Sequence, residues 1–303
     1  MRAGVYQVAF LGEIKEGLTP LDIGDFRLMT ARAAGRIVVA DATCPHFGAN
    51  LAHGGALEGE AVRCPFHHKL IGIGCSKESD LCVRTHRSSI AAGAIYVSIG
   101  DAGDLGLLDE LRRVEELRPV VSSFSLVVRA QTEWVIGNGF DEAHFMPVHR
   151  VLGQVRLKVL DNGHSGPFVA TGMFRLPASE WQVSSGARAV EVPYRATAYS
   201  PGIVLSHMGG EFPYWVLTAA TPKGDGTTRV FITVLVPPGK EAGAPDANRI
   251  RYLLNGVRAG LAPDIAIWQH MVPGFRPALT GDDVALASFL TFCERFPKAS
   301  ADA

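Results

Sequence analysis

Cys44-Pro45-His46 and, after seventeen intervening residues, Cys64-Pro65-Phe66-His67 are the segments from which the rest of the chain is read. Two thiols and two imidazoles in a C-x-H…C-x-x-H pattern can hold an iron–sulfur cluster, both thiolates on one iron and both imidazoles on the other. Imidazole is neutral where thiolate is anionic, so such a cluster carries less negative charge and a higher potential than an all-cysteine one. The same four side chains also suit tetrahedral zinc. The spacing and the hairpin context favour the cluster, which passes single electrons and requires an acceptor.

Working outward, Val5–Leu11, Phe26–Thr30, Arg36–Ala40, Ala61–Cys64 and Ile95–Ile99 are β-rich segments bounded by Gly, Asp or Pro. Both ligand pairs follow a strand immediately, which places them on hairpin loops able to clasp a cluster from two sides. Leu105–Leu117 is charged and helical in pattern and forms a link. The expected division is residues 1–118, the all-β first domain with its linker, and residues 119–303. In the second domain Ser125–Trp134 reads as a strand or the lead into a helix. Phe168–Phe174, Ala189–Tyr199, Tyr214–Ala220 and Thr228–Val236 read as strands, and Ala247–Ala259 and Val284–Phe296 as helices. An antiparallel sheet with helices packed on it makes this an α+β unit. Lys298–Ala303 reads as a loose tail.

With 303 residues the chain can build two modest domains, and 47% hydrophobic against 19% charged residues fits a compact enzyme. A net charge of −1 argues against a general nucleic-acid binder. The N-terminus lacks a signal-like apolar stretch, and no run of about eighteen apolar residues would span a membrane; a soluble, cytoplasmic protein is expected. Five cysteines are no disulfide framework; Cys75, Cys82 and Cys293 read as structural. His53, His68, His86, His164, His207 and His270 lack an evident partner and read as structural or solvated. Ile71-Gly-Ile-Gly74 lacks the third glycine and following helix of a dinucleotide fingerprint, so electrons must come from a partner protein.

The acceptor is sought in Asn138-Gly-Phe-Asp141-Glu-Ala-His144-Phe-Met-Pro147-Val-His149. Asp141 and His144, three apart, share a face if the stretch is helical. His144 and His149, five apart, would be splayed by about 140° on an ideal helix, and Pro147 is expected to kink the helix and bring His149 round. Two histidines and one carboxylate with positions left open is the arrangement of oxygen-activating iron(II) sites. Asp282 and Asp283, at the start of the last apolar helix, are the candidates for the carboxylate. Equally, Thr280 can be an N-cap with Asp283 as its capping-box partner and no metal involved. Asn138 has its own reading as a helix N-cap.

Together the two constellations resemble the Rieske non-heme iron oxygenases, catalytic α subunit, nearly end to end. Cys44-Pro-His-Phe-Gly-Ala-Asn-Leu-Ala-His-Gly-Gly55 and Asn138-x-x-Asp141-x-x-His144-x4-His149 are similar to the branch containing 3-ketosteroid 9α-hydroxylase and cholesterol 7-desaturase. The resemblance implies a Rieske [2Fe-2S] domain followed by a helix-grip, START-like catalytic domain. It implies the cluster on Cys44, His46, Cys64 and His67, and iron(II) on His144, His149 and Asp283, with Asp282 as fallback. It gives Asp141 a bridging role between His144 and a cluster histidine of a neighbouring subunit, hence a homotrimer. Two departures stand out: His68-Lys69 where the family often has Gly-Trp, and Gly137 where steroid-branch members tend to carry Glu.

The expected activity is a monooxygenase reaction: O2-dependent hydroxylation or related C–H oxidation of a bulky, largely apolar, steroid-like or polycyclic molecule. Electrons come from NAD(P)H only through a separate reductase, with or without a ferredoxin. The runner-up is hydroxylation or O/N-demethylation of an aromatic acid. From another class, the rival is a Rieske electron carrier that has lost catalysis. Phe140, Met146, the sheet around Trp215 and the helix bearing Trp268 are expected at the pocket.

Overall fold

The computed structural model describes residues 1–74, 81–160, 165–177, 189–210, 213–238, 247–272, 274–275 and 277–300. Cys75 and His164 lie outside them. The chain forms two compact units: Met1–Gly103 with Thr221–Gly226 and the C-terminal stretch from Lys298, and Asp104–Ala220 with Thr227–Pro297.

Three small sheets build the first unit. Their strand orders are Gly4–Phe10, Ala94–Ile99, Ser88–Ala91; then Gly17–Ile23, Phe26–Ala33, Arg36–Asp41, Thr85–His86; then Ala56–Glu58, Ala61–Arg63, Leu70–Ile73, Cys82–Val83. Strand periodicity serves two cores at once. Leu28 and Val39 join Tyr6, Ile23 and Ile95 in one, while the next residues, Met29 and Ala40, join Leu51, Val62, Ile71 and both ligand cysteines in the other, because successive side chains leave a strand on opposite faces. Gly17–Ile23 escapes a reading by alternation because Pro20 interrupts it; proline is tolerated there since the strand lies at a sheet edge.

Of the expected tail, Lys298–Ser300 are described, and they are not loose. Lys298 bridges to Arg2, and the Ala299 amide donates to the Met1 carbonyl at 2.9 Å. The 221–226 turn is tied down too: the Gly24 amide donates to the Pro222 carbonyl at 2.7 Å and the Thr221 hydroxyl to the Gln7 carbonyl at 2.6 Å.

A seven-stranded sheet organises the second unit, in the order Val120–Val128, Thr228–Val236, Tyr214–Pro222, Ile203–Met208, Ala189–Ser200, Phe168–Pro177, Lys158–Leu160. The first of these pairs antiparallel with the last strand in sequence, Val128 opposite Thr228. Helix α1 (Leu107–Glu116) buries Leu107, Leu111 and Val114, one apolar stripe at helical spacing. Three helical pieces then occupy the iron-motif region: α2 (Thr132–Gly137), a 3₁₀ turn (Asn138–Phe140) and α3 (Phe145–His149). Two longer helices follow, α4 (Ala247–Trp268) and α5 (Val284–Glu294). Among the described residues, no helix is long and apolar enough to cross a membrane.

Helix α4 runs well past the expected end at Ala259, through Gly260 and Pro263. Helix propensity disfavours both residues, but tertiary packing overrides it. The helix lies along Val120–Val128 and α3, Trp268 is buried, and the Gln269 side chain donates to the Val127 carbonyl at 2.9 Å. Helix α5 packs against α2 and the 3₁₀ turn. A Cβ on Gly137 would lie 3.0 Å from Leu286 and 3.6 Å from Phe289. The glycine suits the close approach of α5, since a side chain there would require Leu286 to shift.

Candidate metal centres

The cysteine–histidine loops sit at the ends of Arg36–Asp41 and Ala61–Arg63. Cys44 and Cys64 are buried in the second core, whereas His46 and His67 are at the surface. The imidazole centroids are 4.7 Å apart, and the two thiols hydrogen-bond each other. Burial pushes the Cys64 thiol up, but the Phe66 and His67 amides and Cys44 more than offset it, so its pKa falls below the ordinary value. Partial desolvation, then the nearby Lys69 and His67, lowers the His46 pKa. Thiols inside an apolar cluster and paired imidazoles at the surface fit a cluster with one thiolate-bound and one imidazole-bound iron.

The iron-motif stretch is not the kinked helix that its spacing implied. The break comes at Asp141, which leaves the 3₁₀ turn in an extended conformation, φ −83° and ψ 99°. Pro147 then stands in the first turn of the separate helix α3, where proline costs no intrahelical bond. So the bend before His144, not a proline kink, brings the histidines together: His144 Nε2 and His149 Nε2 are 3.0 Å apart. Asp141 also acts differently from a helix neighbour. Its backbone carbonyl accepts from His144 Nδ1 at 2.6 Å, while its carboxylate accepts from the Ala143 amide at 3.1 Å. The carboxylate is 3.8 Å from His144 Nδ1, and burial raises its pKa.

The carboxylate that joins the pair is Asp264, not Asp283. An Asp264 oxygen lies 3.3 Å from His149 Nε2, and one ligand atom from each of His144, His149 and Asp264 falls within 4.8 Å of the others. Asp283 folds back instead on Thr280, accepting from its amide at 2.6 Å and its hydroxyl at 2.8 Å. Asp283 is therefore engaged away from the histidine pair, as the metal-free reading had it, but Thr280 is not the N-cap: α5 starts from Asp283 with no side-chain capping bond. Asp282 pairs with Arg156 at 3.1 Å, exposed to solvent.

Each member of the triad has a partner that fixes it. His144 is held by the Asp141 carbonyl, His149 by a backbone hydrogen bond to Gly260, and Asp264 by the Asn138 side chain. Asn138 is thus no N-cap: it closes α2 as its C-cap, its amide donating to the Trp134 and Ile136 carbonyls. Burial lowers the pKa of His144 to about 4; burial, then the neighbouring imidazole, does the same for His149. Burial raises Asp264 to about 7. Two imidazoles kept neutral, beside a desolvated carboxylate that gains most from a cation, are a donor set suited to iron(II).

The surroundings are aromatic. Phe145 packs on Phe174 and Tyr194 at centroid distances of 4.7 and 5.7 Å. The buried Tyr194 hydroxyl donates to the Gly139 carbonyl at 2.9 Å. Phe140, expected at a pocket, is fully buried between Phe168 and Phe289, and Trp268 is buried as well. Met146 is 50% exposed, and Trp215 stacks on His207 at 4.5 Å. His86 bonds Asp41 at 2.7 Å, Cys293 is buried in α5 and Cys82 is disulfide-bonded.

Asp264 could have been suspected as the lone acid in Leu261-Ala-Pro-Asp-Ile-Ala-Ile-Trp268, since an unpaired carboxylate on an apolar helix needs a use. The Gly260 and Pro263 breakers drew attention away from that helix.

Comparison with known proteins agrees with the geometry. Residues 4–79 match the Rieske [2Fe-2S] domain, and residues 112–296 match the 3-Ketosteroid 9alpha-hydroxylase C-terminal domain. The chain is 22% identical to aminopyrrolnitrin oxygenase PrnD of Pseudomonas fluorescens, across 96% of this chain and 90% of that protein. It is 23% identical to a probable 3-ketosteroid-9-alpha-monooxygenase oxygenase component of Rhodococcus rhodochrous, across 86% and 71%. Its fold is similar to that of dicamba monooxygenase in complex with dicamba, with a TM-score of 0.74 at 17% identity over 97% and 96% of the chains. The chain therefore belongs to the Rieske non-heme iron oxygenases, as a catalytic component that carries a [2Fe-2S] domain ahead of a 3-ketosteroid 9α-hydroxylase-type iron domain.

Proposed function

We propose that this chain hydroxylates a bulky, largely apolar molecule of steroid-like or polycyclic shape in the second unit. Cys44, His46, Cys64 and His67 hold the cluster, and His144, His149 and Asp264 hold the iron. The convergence of two neutral imidazoles and a buried carboxylate carries this reading: three ligands bind one side of an ion and leave the other open. The match of residues 112–296 to a domain named for 3-ketosteroid 9α-hydroxylase supports the steroid-like substrate. When bound, the two iron centres supply single-electron transfer and O2 activation. The electrons originate in NAD(P)H and arrive in the cytoplasm through a separate reductase, with or without a ferredoxin.

The protein's own residues orient and shield. Asn138, the Asp141 carbonyl and the Gly260 backbone fix the three ligands in direction. Ring packing from His144 through Phe145, Phe174 and Tyr194 keeps water from one side of the site. The exposure of the Asp141 carboxylate, 27% and beside His144, supports a bridging role towards a cluster histidine of a neighbouring subunit in a homotrimer.

The test is a panel of sterols, polycyclic products and aromatic acids, incubated with reduced enzyme and O2 and read by mass spectrometry, with iron counted per chain. An oxygen added to a sterol or polycycle supports the proposal. Methyl loss from an aromatic acid alone overturns the substrate class in favour of a demethylase. A chain holding its cluster but no mononuclear iron is an electron carrier.

A further inference from the structure

The two cluster loops share one backbone plan. The Cys44 amide donates to the Ala49 carbonyl at 2.8 Å and the Gly48 amide to the Cys44 carbonyl at 2.9 Å. The Cys64 amide donates to the Lys69 carbonyl at 2.9 Å and the His68 amide to the Cys64 carbonyl at 3.0 Å. In both, the residue four after the cysteine is left-handed: Gly48 at φ 76° and His68 at φ 56°. Glycine adopts this conformation freely, whereas a side chain is penalised. The second loop thus carries a strain that the first does not.

The second loop has a guanidinium beside it. Arg63, directly before Cys64, donates Nη1 to the His68 carbonyl at 2.9 Å and binds Glu58 through Nε and Nη2 at 2.6 and 2.7 Å. Thr43, before Cys44, has no such reach. Isolated surface ion pairs contribute little; bidentate arginine–carboxylate geometry is the recognised exception. Here it directs the remaining donor at the one strained carbonyl.

We propose that Arg63, oriented by Glu58, is a positioning residue that pins the left-handed turn at His68 and so sets how His67 meets the cluster. This rests on the cluster assignment made above. The Glu58–Arg63 pin compensates for the glycine that this chain lacks at residue 68.

The experiment compares holoprotein variants Arg63→Ala, Glu58→Gln, His68→Gly and Arg63→Ala with His68→Gly. The readouts are the electron paramagnetic resonance line shape of the reduced cluster, its midpoint potential, and its bleaching rate under chelator. Arg63→Ala should broaden the signal, shift the potential and bleach roughly tenfold faster, with Glu58→Gln between it and wild type. His68→Gly alone should match wild type, and the double variant should recover its line shape and bleaching rate. The proposal is overturned if Arg63→Ala leaves all three readouts unchanged, or if its defect is the same with and without His68→Gly. A variant too unstable to hold its cluster shifts the decision to Glu58→Gln, where unchanged readouts also overturn it. A wild-type chain without the cluster's absorbance and paramagnetic signal overturns the cluster assignment itself, and this proposal with it.

Discussion

Asp264 owes its chemistry to where α4 places it. Desolvation raises its carboxyl from 3.8 to about 7, while His144 and His149 stay neutral above about pH 4. A group that binds its proton more tightly folded than unfolded costs stability as pH climbs from 4 towards 7; a bound cation offsets that cost. Metal binding needs the carboxylate. With the cluster in place and the mononuclear site stripped, affinity for a cobalt(II) probe should rise up to about tenfold per pH unit from 5 to 7, then level off. Asp264→Asn should flatten the profile, and a wild-type profile flat across that range would sink Asp264 as ligand. A second comparison separates the two acids: Asp264→Ala should lose mononuclear iron and keep the cluster's colour. Asp283→Ala should keep both and lose about 1 kcal/mol of stability with the Thr280 hydrogen bonds, as iron analysis and thermal unfolding can show. Residue 264 was hidden because its role depends on α4 meeting α3, whereas Cys44, His46, Cys64, His67, His144 and His149 are each legible from neighbours a few positions away.

Among the elements, the 3₁₀ turn Asn138–Phe140 has the largest consequences for its size. Phe140 locks it into the aromatic core with Phe168 and Phe289, the Tyr194 hydroxyl holds its Gly139 carbonyl, and Asn138 reaches Asp264. Because the turn feeds the bend at Asp141, its placement sets the histidine pair. Tyr194→Phe should leave that carbonyl unsatisfied, cost about 1–3 kcal/mol of stability and weaken mononuclear iron binding while the cluster spectrum is unchanged; iron retention equal to wild type removes the turn from the positioning of the site. Strand and helix existence was legible over most of both units. The breaks were not: a run that satisfies helical spacing from Asn138 to His149 is divided at Asp141, whose backbone is extended, and α4 passes Gly260 and Pro263 because Asp264 and Trp268 beyond them are buried.

At the scale of the whole molecule, the proposed path from cluster to iron crosses between subunits, with Asp141 as the bridge. A chain made cluster-free by Cys64→Ser and one made iron-free by Asp264→Ala should each be inactive alone. Mixed under conditions that exchange subunits, they should regain turnover, since one supplies the cluster and the other the iron. Mixed oligomers that form yet stay inactive would assign electron transfer to a single chain and end the bridging role. Asp141→Ala in wild type should retain both metals and turn over poorly.

By itself the sequence determined the two cysteine–histidine loops, the histidine pair, the β-rich first unit and the α+β second unit. These depend on spacing and alternation within one loop or strand, where short-range geometry is fixed by the chain itself. Only the tertiary structure decided which acid completes the triad, what Asn138 holds, that Asp141 orients His144 through its carbonyl, and that Pro147 bends nothing. Those outcomes depend on helices packing across the sheet and on burial that shifts protonation, and neither is encoded in local spacing.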